Sequence, residues 1–268
     1  MMTPESALFA ACELFAAHLS LRALDRLPDP LQPSDETEAY QVQETLNRKL
    51  SGAGFGELAG YKIGCTTAVM QAYLGIPSPC RGGILSSTVA AGGVALNHAT
   101  FRRPGVECEI AVRLAGDVPA SGAPYDRASI ARFVESCMPA AEIVDDRYTD
   151  WRTIGTPLLI ADNFFGAGCV LGAPVHDWGA LNEVAGTMLI NGAVVGTGRG
   201  SDVLGHPFEA LAWLANQLAG QHREGQGAGL KAGDLVLTGS VVQTNWVAAG
   251  DRVMMDLGRL GTVEFSFG

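Results

Sequence analysis

The hydrophobic pattern of the chain changes near residue 55, and this change is what most constrains the fold. Residues 4–23 and 35–50 carry apolar side chains at helical spacing, and Gly52 is a candidate C-cap for the second helix. After residue 60 the chain consists mostly of short apolar runs separated by glycine. The sequence therefore predicts an α+β protein with a helical N-terminal arm, residues 1–55, and a β-rich body, residues 56–268.

The periodicity also predicts individual elements. In the arm, Leu8, Cys12, Phe15 and Leu19 recur at helical spacing. In the body, Asn191-Gly192 lies between two apolar runs and predicts a β-hairpin. Two further helices are expected over residues 127–138 and 207–219. Strands are expected near residues 61–64, 94–97, 107–114, 140–145, 167–171, 186–190, 193–197, 235–238 and 252–265.

The composition excludes several classes of partner. The net charge is −10, and the only lysines are Lys49, Lys62 and Lys231, so neither nucleic acid nor an anionic membrane surface is an expected partner. No apolar stretch reaches the roughly 18 residues that span a bilayer, and the N-terminus lacks the basic segment of a signal peptide. The six cysteines show no CxxC spacing, which favours free thiols in the cytoplasm.

Three glutamates interrupt apolar strand candidates. Glu107 and Glu109 share one face of their strand, with Cα atoms about 6–7 Å apart, and Glu142 interrupts a second strand. Side-by-side buried carboxylates repel each other and lose hydration, and a divalent cation removes both penalties. Oxygen ligands favour Mg²⁺, Mn²⁺ or Ca²⁺ over zinc. The alternative is an amphipathic strand with a solvated glutamate face.

Four other segments carry candidate functional residues. Lys62 lies in a short apolar strand, where burial lowers a lysine pKa and makes it a proton shuttle; the alternative is an edge lysine that reaches solvent. Asp162 and Asn163 lie inside an apolar stretch, where they form either a site, with Asp162 as a catalytic and Asn163 as a substrate-binding residue, or a structural network. Thr238 and Ser240 flank a glycine after a strand, where they either bind a substrate carboxylate or serve the turn. The acidic segment 145–147 is interpreted as an ordinary turn with a partnering arginine.

Five motifs in order carry a resemblance to a known family. The chain resembles the 2-keto-4-pentenoate hydratase group, which includes 4-oxalocrotonate decarboxylase relatives and belongs to the fumarylacetoacetate hydrolase superfamily. The resemblance covers nearly the whole chain. The motifs are Tyr61-Lys62-Ile63-Gly64, Arg103-Pro104-Gly105-Val106-Glu107-Cys108-Glu109-Ile110-Ala111, Ala141-Glu142-Ile143-Val144-Asp145, Ala161-Asp162-Asn163 and Gly233-Asp234-Leu235-Val236-Leu237-Thr238-Gly239-Ser240.

The resemblance implies a fold and a site. The fold would be a mixed β-roll or distorted barrel. Mg²⁺ or Mn²⁺ would be held by Glu107, Glu109 and Glu142, with Lys62 in the same site. One segment departs from the group, because Pro79-Cys80-Arg81 replaces a stretch that usually contains an aspartate. Arg81 is therefore expected either to bind a second carboxylate of the substrate or to face solvent on a loop.

The implied activity is addition of water to a 2-oxo-enoic acid in aromatic-compound catabolism. Decarboxylation and C–C hydrolysis are alternatives that would use the same metal site. A non-catalytic β-rich binding protein of the same fold is the alternative outside enzymes. The resemblance also implies a homo-oligomer, and a complex with a neighbouring enzyme of the pathway is a further expectation.

Overall fold

A computed structural model describes residues 2–220 and 229–268 and contains two β-sheets flanked by helices. The α-helices are α1 (Pro4–Ser20), α2 (Glu36–Leu50), α3 (Ala68–Leu74), α4 (Arg127–Ala131), α5 (Thr156–Ala161) and α6 (Pro207–Gly220). The strands are β1 (Leu58–Gly64), β2 (Cys80–Leu85), β3 (Val89–Ala91), β4 (Ala95–Leu96), β5 (Pro104–Leu114), β6 (Val134–Asp145), β7 (Gly166–Leu171), β8 (Ala185–Ile190), β9 (Ala193–Arg199), β10 (Leu235–Trp246), β11 (Arg252–Asp256) and β12 (Thr262–Phe267). The predicted α+β class is confirmed.

The larger sheet determines where the glutamates lie. Its strand order is β2-β1-β10-β5-β6-β7-β3, and the smaller sheet has the order β4-β12-β11-β8-β9. Long antiparallel strands β5 and β6 lie side by side near the middle of the larger sheet, and their register pairs Glu107 with Glu142. Directly paired residues of antiparallel strands project to the same face, so two of the three carboxylates are brought together by register alone.

The two N-terminal helices begin close to the predicted residues, and each has a side-chain N-cap. Thr3 accepts a hydrogen bond from the backbone N–H of Ser6, and Asp35 caps α2 in the same way. The residues that α1 buries differ from those with the expected spacing. The buried stripe consists mainly of alanines, which allow α1 to approach α2 closely, while Leu8 and Leu19 are exposed.

The predicted C-cap at Gly52 is wrong. The chain continues from α2 into a π-helical turn over Ser51–Phe55. Gly54 and Gly56, with φ of 96° and 79°, provide the left-handed backbone that ends the turn.

The predicted helix over residues 127–138 is also wrong beyond its first turn. Helix α4 ends at Ala131, and Val134 and Cys137 belong to β6, where they pair with Leu114 and Val112 of β5. Sheet pairing and burial override the helical spacing of the apolar residues. The segment 252–265 likewise divides into β11 and β12, separated by a turn with Gly258 and Gly261 at positive φ. The predicted hairpin at Asn191-Gly192 is confirmed between β8 and β9.

The helical arm shares a hydrophobic core with the segment that carries Asp162 and Asn163. Leu14 of α1 and Leu46 of α2 belong to the same buried cluster as Leu158 and Ile160 of α5. A separate, larger cluster fills the space around β5, β6 and the second sheet. Through this shared core, the arm helps to position the segment after α5.

Within the described ranges, none of the helices has the length and apolar character that crossing a membrane requires.

Candidate functional site

The three predicted glutamates converge. One carboxylate oxygen from each of Glu107, Glu109 and Glu142 lies within 4.8 Å of the others. Glu109 and Glu142 are fully buried, and Glu107 is partly exposed. Register explains the first pair, and the two-residue repeat of β5 adds Glu109 on the same face. The interpretation of a solvated glutamate face therefore fails for two of the three residues.

The carboxylate oxygens suit a divalent cation. Among the described residues, Glu109 Oε1 and both oxygens of Glu142 are buried and have no hydrogen-bond partner, and Lys62 Nζ forms an ion pair with Glu142 Oε1 at 3.2 Å. The backbone N–H of Gly239 donates to Glu109 Oε2. Burial is the largest cause that raises the pKa of Glu109 and Glu142, and neighbouring carboxylates add to it. Carboxylate oxygens are ligands that Mg²⁺ and Mn²⁺ prefer, and a bound cation would satisfy these buried oxygens.

Lys62 lies beside this cluster on the inner face of β1. Its ammonium group donates to the carbonyl oxygen of Phe164 at 2.8 Å, and Lys62 as a whole residue is only 4% exposed. Burial alone would lower its pKa, but Glu142 and the other two glutamates outweigh burial, so the pKa of Lys62 is raised. The lowered pKa of Lys62 that the sequence predicted took only burial into account, and this direction is wrong for the metal-free protein. A cation bound by the glutamates would cancel the charge that raises this pKa.

The segment Asn163–Phe165 has a strained backbone that aims polar groups at Lys62. Asn163, Phe164 and Phe165 all have left-handed φ, of 53°, 50° and 66°, which costs a non-glycine residue about 1–2 kcal/mol each. The Asn163 side chain holds the segment, because it accepts from the backbone N–H of Gly83 and donates to Asn47. This conformation points the Phe164 carbonyl at Lys62.

Asp162 forms a buried ionic network rather than facing the glutamates. Its carboxylate accepts hydrogen bonds from Arg147 Nε at 3.0 Å and from the Tyr148 hydroxyl at 3.0 Å, and it lies 2.7 Å from His18 Nε2. Burial alone would raise the pKa of Asp162, but Arg147 and His18 hold it below its usual value. The segment 145–147 was interpreted as an ordinary turn with a partnering arginine. Asp145 instead ends β6, all three residues are buried, and Arg147 pairs with Asp162.

Thr238 and Ser240 lie on β10 next to the cluster, with their hydroxyl groups bound to the backbone. Thr238 donates to the carbonyl oxygen of Ile110, and Ser240 donates to that of Cys108. Between them, Gly239 at φ 118° supplies the N–H that reaches Glu109. The substrate-binding roles of both residues stay predictions.

Arg81 does not lie with the other candidates. In the pairing of β2 with β1, Arg81 lies opposite Ile63. Its side chain therefore projects to the face of the sheet opposite to that of Lys62. The guanidinium group stacks on Tyr40 at 4.2 Å and donates to Gln43 and Gln217. Arg81 is thus neither exposed on a loop nor directed at the glutamates.

We expect Arg81→Ala to lower the free energy of unfolding by about 3 kcal/mol, because it removes a buried guanidinium group that stacks on Tyr40 and donates to Gln43 and Gln217. The ratio of kcat/KM for monocarboxylic and dicarboxylic dienoates should not change. Urea unfolding and substrate comparison of Arg81→Ala and wild type measure both quantities. A changed ratio would return Arg81 to the substrate site.

A cavity of about 650 Å³ reaches Lys62 and Glu142. His18 of α1 lines it together with Asp145, Arg147 and Asn163, and apolar side chains such as Leu96 and Phe101 complete part of the wall. Sequence reasoning missed His18, and it assigned Arg147 to a turn outside the site. The long-range contact of His18 with Asp162 has no local signal, since 144 positions separate the two residues.

The fold and the carboxylate cluster together define the class of protein. Residues 83–267 match the family described as fumarylacetoacetate (FAA) hydrolase C-terminal. The chain belongs to the fumarylacetoacetate hydrolase family, as the sequence motifs predicted.

Within this family the chain is similar to dienoate hydratases. It is 34% identical to the 2-hydroxyhexa-2,4-dienoate hydratase of Comamonas testosteroni, over 95% of this chain and 94% of the relative. It is also 34% identical to 2-keto-4-pentenoate hydratase 1 of Dechloromonas aromatica, over 96% of this chain and 95% of the relative. The predicted resemblance to the 2-keto-4-pentenoate hydratase group is confirmed.

A solved structure supports the complete fold, including the arm. The 4-oxalocrotonate decarboxylase of Pseudomonas putida G7, solved with magnesium and adipate, has a TM-score of 0.92 and 25% identity. The match covers 100% of this chain and 99% of that chain. The same decarboxylase has also been solved with calcium and acetate, with a TM-score of 0.90 and 26% identity. The predicted fumarylacetoacetate-hydrolase-like fold is confirmed.

Proposed function

We propose that this protein is a metal-dependent hydratase of aromatic-compound catabolism. It adds water to a 2-hydroxy-2,4-dienoate, through its 2-oxo-3-enoate tautomer, and releases a 4-hydroxy-2-oxo acid. The observation that carries the proposal is the cluster of Glu107, Glu109 and Glu142 beside Lys62, in a chain similar to dienoate hydratases along nearly its whole length.

The glutamate cluster would hold the metal ion. Glu107, Glu109 and Glu142 are the proposed ligands, and Mg²⁺ or Mn²⁺ is the proposed ion, because the donor set consists only of carboxylate oxygens. When bound, the ion supplies Lewis-acid polarisation of the substrate's 2-oxo group. The Gly239 N–H fixes Glu109, and the Thr244 hydroxyl fixes Glu107.

Lys62 would carry protons to and from the substrate carbon atoms. The Phe164 carbonyl and Glu142 hold its ammonium group at one place in the cavity. Asp162, which sequence reasoning named as catalytic, would act through the side chains it binds, Arg147 and His18, because its own oxygens are already hydrogen-bonded. Asn163 would shape the site by fixing the strained segment, in place of a direct role with substrate.

Decarboxylation of a 2-oxo-3-enedioate is the second candidate. It is favoured by the similarity to the decarboxylase over the whole chain. A substrate panel analysed by mass spectrometry separates the candidates. Hydration adds the mass of one water, decarboxylation removes one carbon dioxide, and C–C hydrolysis gives two fragments. If no dienoate in the panel changes in the presence of Mg²⁺ or Mn²⁺, the result would favour the alternative of a non-catalytic binding protein.

We expect the protein to form at least a dimer. Helix α1 exposes Leu8, Phe9 and Leu19, and α3 exposes Val69 and Tyr73, so both helices present apolar surface to solvent. Burial of these side chains against a second copy would remove that surface from water. Light scattering at micromolar concentration checks this, and a particle of 28.0 kDa would contradict it.

A further inference from the structure

Helix α1 carries a histidine into the cavity near Lys62. His18 lies close to the C-terminal end of the helix, its side chain is 11% exposed, and it lines the cavity that also reaches Lys62 and Glu142. Its Nε2 atom lies 2.7 Å from Asp162 Oδ1. The next residues after Asp162 supply the carbonyl that binds Lys62, so one short segment positions both side chains.

The hydrogen-bond network determines the tautomer of His18. Asp162 accepts from Arg147 and Tyr148 through Oδ2, as an ionised carboxylate does. A carboxylate can only accept, so His18 Nε2 carries the proton and donates it to Oδ1. Within the described part of the chain, Nδ1 has no hydrogen-bond partner. A neutral His18 therefore presents an unprotonated nitrogen, and its pKa is lowered by burial and by Arg147, against the opposing effect of Asp162 and Asp145.

The other titratable groups that line the cavity are already committed. Lys62 donates to Phe164 and pairs with Glu142, which belongs to the carboxylate cluster. Asp145 accepts hydrogen bonds from the backbone N–H groups of Arg102 and Arg103. The Cys169 thiol is buried, and burial raises its pKa to about 12. Among the described lining residues, His18 is the one uncommitted base.

We propose that His18 is the general base that activates water in the hydration step, with Asp162 as its positioning residue; this inference rests on the proposed hydratase function. His18 Nδ1 removes a proton from water while the water oxygen forms a bond to C4 of the 2-oxo-3-enoate. The C3–C4 π electrons move toward the 2-oxo group and give an enolate. The Lys62 ammonium then protonates C3, and proton transfer through solvent from His18 to Lys62 restores both groups.

The geometry of the pair suits this role. As His18 gains a proton, the ionised Asp162 at 2.7 Å stabilises the imidazolium, while Arg147 favours the neutral form before reaction. A purely structural role would leave His18 as an anchor of α1 to the body. The two roles differ in one measurable way, because an anchor affects every reaction in the cavity and a water-activating base affects only hydration.

The test compares two reactions of the full-length protein with Mg²⁺. Hydration is followed by mass spectrometry as formation of 4-hydroxy-2-oxopentanoate from 2-hydroxypenta-2,4-dienoate, and C3–H exchange of 2-oxopentanoate in D₂O is followed by NMR. The second reaction needs enolisation without water addition. We expect His18→Gln, whose amide can still donate to Asp162, to lower hydration by roughly 10²–10⁴-fold and to leave the exchange rate unchanged. The control His176→Gln changes an exposed histidine and should alter neither reaction.

Two results would overturn the role of His18. One is hydration by His18→Gln at the wild-type rate, and the other is an equal loss of hydration and exchange, which indicates an anchor. If the variant does not fold, ¹⁵N NMR of the wild-type protein with Mg²⁺ decides, because the inference requires the Nε2–H tautomer and the Nδ1–H tautomer would exclude it. Failure of the wild type to hydrate any dienoate refutes the proposed function itself and this inference with it.

Discussion

Removal of divalent metal ions is expected to abolish dienoate turnover, and Mg²⁺ or Mn²⁺ is expected to restore it. In the described part of the chain, three buried oxygens of Glu109 and Glu142 make no hydrogen bond, and a cation would satisfy them. Activity should be measured after chelation and desalting, and again after each ion is added back. Full activity in a rigorously metal-free sample would exclude the proposed metal site.

Single substitutions locate the site within the same experiment. Glu109→Gln and Glu142→Gln should each weaken Mg²⁺ binding in calorimetry, whereas Glu135→Gln should not. Glu135 is a matched control because it lies on β6, the strand of Glu142, but is exposed. Equal metal affinity in all three variants would show that the ion binds elsewhere.

The metal-free protein provides a second readout that does not depend on activity. Burial raises the pKa of Glu109 and Glu142, so the folded metal-free protein binds protons more tightly than the unfolded chain does. Its free energy of unfolding therefore decreases as pH rises above 4.5, the ordinary value. Glu109→Gln removes one of these charges and should be more stable than wild type at neutral pH without metal. Added Mg²⁺ should reverse that order.

The carboxylate cluster was predictable because its signal is local. The alternation of side chains along a strand places Glu107 and Glu109 on one face without reference to any other part of the chain. An acidic residue inside an apolar run is itself unusual, so Glu142 was identifiable in the same way. Only the register of β5 and β6, which pairs Glu107 with Glu142, required the structure.

Arg81 and His18 show why the remaining site was not predictable. The face to which Arg81 projects depends on the pairing of β2 with β1, and two adjacent glycines gave that strand no apolar signal. His18 reaches the cavity through a contact that spans 144 positions, and it lies on a helix whose alanine stripe was not recognised as the buried face. The helix predicted over residues 127–138 was wrong for a related reason. Pairing of Val134–Asp145 with β5 depends on residues distant in sequence, and it outweighs the local helical spacing.

Lys62→Ala is expected to lower kcat for hydration by roughly 10²–10⁴-fold, the usual range for a group that transfers protons. The substitution removes the ammonium group that lies between the Phe164 carbonyl and Glu142. Metal affinity should be largely kept, because the three carboxylates are unchanged. Lys231→Ala is the matched control, since Lys231 forms an exposed ion pair with Asp117.

Steady-state rates alone do not distinguish proton transfer by Lys62 from support of the site, but the exchange reaction does. If Lys62 moves the proton at C3, Lys62→Ala should lose C3–H exchange of 2-oxopentanoate and hydration together, while Mg²⁺ still binds. His18→Gln should lose hydration alone. A Lys62→Ala variant with near-wild-type exchange would assign Lys62 to structure, because its charge would then serve only to hold Glu142 and the strained segment at Phe164. Loss of exchange in Lys62→Ala but not in His18→Gln would separate the residue that transfers protons at carbon from the residue that activates water.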